Sequence, residues 1–455
     1  MTTRAILDYV KSHPAGKVKI AYSDIDGILR GKYISTEKFL SIVEGGTTFC
    51  DVIFGWDSSD VAYDNTGYTG WHSGYPDAPA KLDLSTFRKI PWENDLPFFL
   101  GELLDSKGTP AAIGAHVCPR QLLKRVLSDA QRAGFTPFFS QEFEWFNFAE
   151  TPQTALEKNY KDLIPLTPGM FGYSILRTTL ENPFFADLFE LLKRFGVPIE
   201  GLHTETGPGV LEAAIPYSGI LEAADRALLF KTAVKEIAYQ HGIMATFMAK
   251  INENLPGSGG HVHQSLWDKA AKKNLFYDAK DKHNMSAVMK SYIAGQLHCL
   301  PHILPMYAPT INSYKRLVEG AWAPTTLTWG IDNRTVALRV LNGSAKSCRL
   351  ETRVIGSDVN PYLAMTAALA SGLYGIKKKL KLQPATIGNG YRDYAQGTLP
   401  TTLHEATQKM KQSSLAKEIL GERFTEHFIQ TREWEWRQHL KPVTDWEMKR
   451  YFEII

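Results

Sequence analysis

A chain of 455 residues with 44% hydrophobic and 22% charged content is too long for one simple core and ordinary in composition for a globular protein. A net charge of +3 at this length gives no reason to expect nucleic acid or an anionic membrane as partner. The cysteines, Cys50, Cys118, Cys299 and Cys348, form no CxxC pair, which argues against a zinc knuckle or a disulfide framework and suits a reducing, cytoplasmic setting.

The opening MTTRAILDYVKSHPAGK has no apolar stretch of signal-peptide length, so a soluble protein is expected. KVKIAYSDIDGILRGKYIS (17–35) reads as a hairpin turning at IDG. Residues 49–64 read as another strand, and TGYTGWHSGYPDAPAKLD (66–83), dense in Gly, Pro and Asp, as a long ordered loop. The first hundred or so residues thus look like a small β-rich domain, with a boundary near 105–115 and the division placed at 1–112 and 113–455. Helices are expected over 118–135, 182–196 and 218–242, each closing near a glycine. FFSQEFEWFNF (138–148), ATFMAKI (245–251), HVHQSLW (261–267), 330–341 and 349–355 read as strands. PYLAMTAALASGLYGI (361–376) is too short to span a membrane and reads as a buried helix starting at Pro361, with mostly helix to the end. The order is mixed α+β with antiparallel strands rather than regular βαβ alternation.

Strand side chains two apart share a face, and four segments offer polar residues amid apolar surroundings, three of them at that spacing. Glu142 and Glu144 form one such pair and His261 and His263 another; HTETGPGVLEAAI adds Glu205 and Glu212, and CRLETRV adds Arg349, Glu351 and Arg353. If those faces converge they enclose five carboxylates and two imidazoles, which only cations make stable. Carboxylate-rich donors without sulfur suit Mg²⁺ or Mn²⁺. Any single pair is more often a solvated strand face; the coincidence of four is what carries the argument. Lys315, Arg316, Arg334, Arg339, Lys346, Arg349 and Arg353 add a cationic cluster. Metals and guanidinium groups together neutralise charge in phosphoryl transfer. No Walker A motif or kinase signature is present, so a nucleotide site must be of another design.

The EFEWF strand, the HTE…LEAA pair, PGSGGHVHQSL, NSYKRLV, NRTVALRV, and RLETRV followed by NPYLA occur in one order, and over nearly its whole length the chain resembles glutamine synthetase of the bacterial type I class. The resemblance implies an N-terminal β-grasp domain followed by a catalytic domain with a curved antiparallel sheet flanked by helices. It implies a homo-oligomer, normally a dodecamer of two hexameric rings with active sites between subunits. It implies glutamate, ATP and an amine or ammonia as substrates, with two or three Mg²⁺ or Mn²⁺ per site. Position by position, Glu144, Glu205 and Glu212 resemble the ligands of a first metal, and Glu142, His261 and Glu351 those of a second. His263, Ser265, Lys346 and Arg349 resemble the ATP contacts; Gly257, Arg316 and Arg353 resemble the glutamate contacts. Arg334 and Arg339 resemble the arginines that stabilise the transferring phosphoryl group. Asp57 of FGWDSSD, or Asp60, matches the aspartate that reaches into a neighbour's site.

The flap departs from that pattern. Glutamine synthetases carry a glutamate there, in a motif like GYEAP; here the flap reads GAWAP, with Trp322 in its place. Pro256 also stands where an asparagine usually precedes GSG. An indole offers an apolar face and a cation–π surface but no acceptor. This resembles the branch that makes γ-glutamylputrescine and other γ-glutamyl amides, so an organic amine such as a polyamine is expected at Trp322. Glutamine synthesis from ammonia is the alternative, with Glu319 filling the acidic role, and a non-catalytic ring-forming paralog a lesser one.

Overall fold

The structure, a computed structural model, describes residues 1–105 and 114–455. Strands Lys17–Ser23 and Leu29–Ser35 pair antiparallel as the expected hairpin. Its turn is closed by Asp24 Oδ1, which accepts the N–H groups of Asp26 and Ile28 at 3.0 and 2.8 Å. Helix Thr36–Gly45 follows, capped by the Ser35 hydroxyl. Strand Leu96–Leu103 then returns parallel to the first strand, giving a six-stranded sheet of β-grasp order. That returning strand is buried at every position: Phe98 and Leu100 face the main core, Phe99 and Leu103 a smaller one under the helix.

Two readings of this region need correction. Residues 49–64 are not a strand: the strand is Thr47–Cys50, and the chain then enters a 3₁₀ turn, Asp51–Phe54. The loop at 66–83 ends in strand Asp77–Leu82, where Ala78, Ala80 and Leu82 alternate inward. The period-two signal was present in DAPAKL but hidden by its proline and small side chains. The domain boundary at 112/113 falls outside the described residues.

The second sheet has nine strands organised on the 14-residue strand Phe135–Phe148. Strands Val262–Asp268, Val210–Ala214, Ser218–Gly219 and Met244–Thr246 all pair with it antiparallel. The segment expected as one strand over 330–341 is two short strands, Trp329–Ile331 and Leu338–Leu341, which pair in parallel. ATFMAKI is strand only over Met244–Thr246. On Phe135–Phe148 the odd positions Phe139, Phe143 and Trp145 are fully buried, while Glu142 and Glu144 point to the other face. Helices Pro119–Arg132, Ile220–Gln240, Ala287–Ile303 and Pro361–Lys378 cover the apolar side. Among the described residues no helix is long and apolar enough to cross a membrane.

Buried charge ties the first sheet to the helices that cover the second. The Arg120 guanidinium bonds Asp225 at 2.9 Å and Glu102 at 2.9 Å, and Tyr362 donates to the same Asp225 at 2.5 Å. Because each buried charge costs several kcal/mol when unpaired, Arg120 needs both carboxylates.

Candidate active site

Sheet register brings the polar pairs together. Glu144, Glu212 and His203 stand in one cross-strand row, and Arg339, Glu351 and His263 in another. Glu142 joins the rows: its Oε1 lies 2.8 Å from His261 Nδ1 and its Oε2 3.3 Å from His263 Nε2. Glu351, fully buried, lies 3.4 Å from His261 Nδ1 and accepts from Arg339 at 2.9 Å and Arg353 at 2.5 Å. Glu144 accepts the Gly259 N–H at 2.7 Å. A Cβ at Gly259 would lie 2.8 Å from His261 Nε2, so the turn before HVH must be glycine for strand and carboxylate to meet.

Two cavities open on this cluster and share Glu142. One, of about 590 Å³, is lined by Glu144, Glu205, Glu212, His261, Trp322, Arg334, Arg339 and Arg353. The other, of about 350 Å³, is lined by His263, Ser265, Lys346 and Arg349, with Trp267 and Tyr217 beside them. Of the residues expected to hold metal and phosphoryl groups, all but the fully buried Glu351 line the larger cavity, and the four expected at ATP line its neighbour. Arg316 is buried behind the first, donating to the Val354 carbonyl at 3.0 Å and lying 3.4 Å from His261 Nε2. Gly257 lets it lie there, since a Cβ would come within 2.6 Å of Arg316 Cγ.

Electrostatics divides the first cavity. Burial alone would raise the Glu142 carboxyl, but His263 and His261 hold it well below the ordinary carboxylate range. Glu351 is lowered too, burial again being overcome by His263, Arg353 and His261. The His263 imidazole is raised by Glu142 against the pull of burial. On the other side, burial and the carboxylates of Glu142, Glu144, Glu205 and Glu351 push Glu212 up to about 9. The side chains therefore supply their own positive charge around Glu142 and lack it around Glu212. Ligand atoms of His203, Glu205 and Glu212 lie within 4.8 Å of one another, as do those of Glu142, His263 and Glu351. An all-oxygen and imidazole set with unbalanced negative charge fits a hard divalent cation.

Sequence reasoning passed over two residues here. His203 stands two positions before Glu205, the same alternating signal as HVH, and lies 3.4 Å from Glu212 Oε2. Tyr173 carries no sequence signal: it sits in a loop held by the Thr204 hydroxyl, and its ring stacks on His203 at 4.3 Å. Trp322, exposed and with φ of 58°, lines the larger cavity from the flap, its carbonyl accepting from Arg353 at 3.4 Å. Glu319 is turned away and pairs with Arg392 at 2.8 Å. Asp57 and Asp60 lie apart from both cavities: Asp57 accepts from the Trp434 indole at 2.9 Å, and Asp60 pairs with Arg30 at 2.6 Å.

Known proteins are similar to this chain over nearly its whole length. The glutamine synthetase catalytic domain family matches residues 116–451. Type-1 glutamine synthetase 2 of Dictyostelium discoideum is 54% identical over 454 residues, covering 99% of this chain and 86% of that one. Glutamate–isopropylamine ligase of a Pseudomonas species is 34% identical, covering 99% and 98%. Gamma-glutamylethanolamide synthetase of Streptomyces coelicolor is 36% identical, covering 96% and 92%. The solved structure of GmaS with ADP shares the fold, with a TM-score of 0.83 and 24% identity over 98% of this chain and 99% of that one. The chain belongs to the glutamine synthetase family and is a ligase that forms carbon–nitrogen bonds.

Proposed function

We propose that the protein is an ATP-dependent glutamate–amine ligase that forms a γ-glutamyl amide from an organic amine. The observation that carries this reading is Trp322, which lines the cavity beside Arg353 while the nearby flap carboxylate, Glu319, is held by Arg392. The family as a whole uses glutamate, ATP and a divalent metal. Gly257, Arg316 and Arg353 would hold glutamate, and His263, Ser265, Lys346 and Arg349 the nucleotide. A γ-carboxylate oxygen attacks the γ-phosphorus and ADP leaves, while Arg334 and Arg339 face the transferring group. The bound alkylammonium gives one proton to Asp57 of the partner subunit, the freed amine nitrogen attacks the acyl carbon, and its second proton leaves with the phosphate. Glu144, Glu205 and Glu212 would hold one cation and Glu142, His261 and Glu351 another; when bound, Mg²⁺ or Mn²⁺ supplies charge neutralisation for the phosphates. Trp322 would present its indole face to an alkylammonium, a polyamine among the candidates, by cation–π contact worth about 0.5–2 kcal/mol. The same reading includes division at 1–112 and 113–455, a dodecamer of two hexameric rings, and a cytoplasmic setting.

Ammonia is the second reading, favoured by the 54% identity to the Dictyostelium protein named a glutamine synthetase. Phosphate release with ATP, Mg²⁺ and glutamate across ammonia, putrescine, spermidine, ethylamine and aromatic amines separates the two. Strong turnover with one organic amine and little with ammonia is expected. Trp322→Glu should then raise ammonia use relative to amine use by roughly tenfold, a carboxylate replacing an apolar face. Ammonia as the best substrate of the unaltered protein would refute the amine reading.

A further inference from the structure

The helix Glu422–His439 is absent from the chemistry described so far, yet one of its faces grips the loop that carries Asp57. The gripping residues are His427, Gln430, Trp434 and Arg437, at the three- and four-residue spacing of a single helix face. The His427 ring stands edge-on to Tyr68 at 5.8 Å. The Gln430 carbonyl accepts from Asn65 at 2.8 Å, and its side-chain oxygen accepts the Gly67 N–H at 3.3 Å. Arg437 pairs with Asp64. The Trp434 indole N–H donates to Asp57 Oδ2 at 2.9 Å.

The Asp57 carboxylate is divided between two tasks. Its Oδ1 accepts the N–H groups of Ser59 and Val61 at 2.9 and 3.0 Å, closing a turn bridged at Trp56 and Ala62. The loop can therefore keep its shape through Oδ1 alone. Oδ2 takes no part in the turn, and its donor is an indole. Trp434 is itself fixed: it is 5% exposed, Tyr63 meets it edge-on at 5.8 Å, and the Arg437 guanidinium lies 5.3 Å from its ring. An indole donates one hydrogen bond, accepts none, and carries no charge. It can orient a carboxylate without forming the ion pair that would make that carboxylate a poor proton acceptor. Ser58, Ser59, Asp60 and Val61, beside Asp57, are exposed, as a loop working outside its own chain requires.

We propose that Trp434 is a positioning residue for the reaction, setting Asp57 Oδ2 toward the amine bound in the partner subunit, with the C-terminal helix as its cradle. This rests on the reading of Asp57 as acceptor of the amine's proton.

The test compares two nucleophiles. An alkylamine is protonated near neutral pH and must lose a proton before or during attack; hydroxylamine is largely neutral and need not. Trp434→Phe keeps the ring and removes the N–H. It should lower kcat with the alkylamine roughly tenfold, within the range of acid–base contributions, and leave hydroxamate formation and the KM values for glutamate and ATP nearly unchanged. Trp434→His, which can donate from its ring, should recover part of the loss and serves also if the Phe variant folds poorly. In an Asp57→Asn background Trp434→Phe should add nothing. Equal loss with both nucleophiles in Trp434→Phe would show a merely structural role and overturn the proposal. The Asp57 reading is tested apart, with Trp434 intact: an Asp57→Asn variant that lowers both nucleophiles equally, or neither, removes that reading and the proposal with it.

Discussion

Glu212 is where the need for a cation is written most plainly at the scale of single residues. Its carboxyl is raised from 4.5 to about 9, first by burial and then by four neighbouring carboxylates. A carboxyl raised on folding holds a proton that the unfolded chain has released. Between those two values the folded state binds more protons, so the contribution of Glu212 to stability is full below 4.5 and is lost as pH rises toward about 9. His263, also raised, adds a slope of the same sign. The metal-free protein should therefore lose on the order of 5 °C in Tm across that window, and saturating Mn²⁺ or Mg²⁺ should remove most of the slope. Glu212→Gln should flatten the metal-free profile, leaving the part due to His263. A Gln variant as steep as the unaltered protein in calorimetry at several pH values would show that Glu212 is not the charge a cation must meet. Spacing alone announced this cluster, since EFE, HVH and RLETR each declare a shared face. It could not tell that His203 joins Glu212, because that pairing depends on register between distant strands.

At the scale of elements, two helices set the strands that carry these residues. Gln264 lies between His263 and Ser265, and Thr352 follows Glu351. Gln264 bonds Thr352 at 2.7 Å and accepts from Tyr292 at 2.6 Å and Gln296 at 2.7 Å, all buried, the last two from helix Ala287–Ile303. That helix approaches Pro361–Lys378 closely enough that a Cβ at Gly372 would lie 2.0 Å from the Tyr292 ring. Gly372→Ala should therefore cost about 1–3 kcal/mol by overpacking and lower turnover as well, because displaced Tyr292 releases Gln264. A denaturation midpoint equal to that of the unaltered protein would contradict the close fit. The helices themselves were legible from their apolar spacing and the buried helix at 361–376 from its composition. The short strands were not. ATFMAKI has strand composition, but the backbone turns away after Thr246, and Lys250 bonds the Asn312 side chain instead of a neighbouring strand. Segment 330–341 reads as one strand because its apolar residues alternate; Asp332, at φ of 47°, breaks it into two that pair in parallel.

For the whole molecule the open matter is which copy completes a site. Members of this family are generally oligomeric, and this chain exposes a run of large apolar side chains, among them Phe171, Ile175, Leu176 and Leu180, beside Tyr173 at the mouth of the larger cavity. An exposed apolar run of this kind suits a subunit interface. Asp57 stands away from both cavities of its own chain, so under the proposed function its partner cluster belongs to another copy. Two inactive variants test this. Asp57→Asn keeps the carboxylate cluster and loses the loop group; Glu142→Ala keeps the loop group and loses the residue joining the two cavities. Each alone should be nearly inactive. Dissociated and reassembled together in equal amounts, a shared site needs its cluster from an Asp57→Asn copy and its loop from a Glu142→Ala copy. For random neighbours in a closed ring that holds for about one quarter of the sites, and activity should return to about that fraction. A site made within one chain predicts no recovery at any mixing ratio, because every copy then carries one defect or the other. Recovery should also vanish when Ile175→Glu or Leu176→Glu in both variants prevents reassembly, a control read by sedimentation beside the assay.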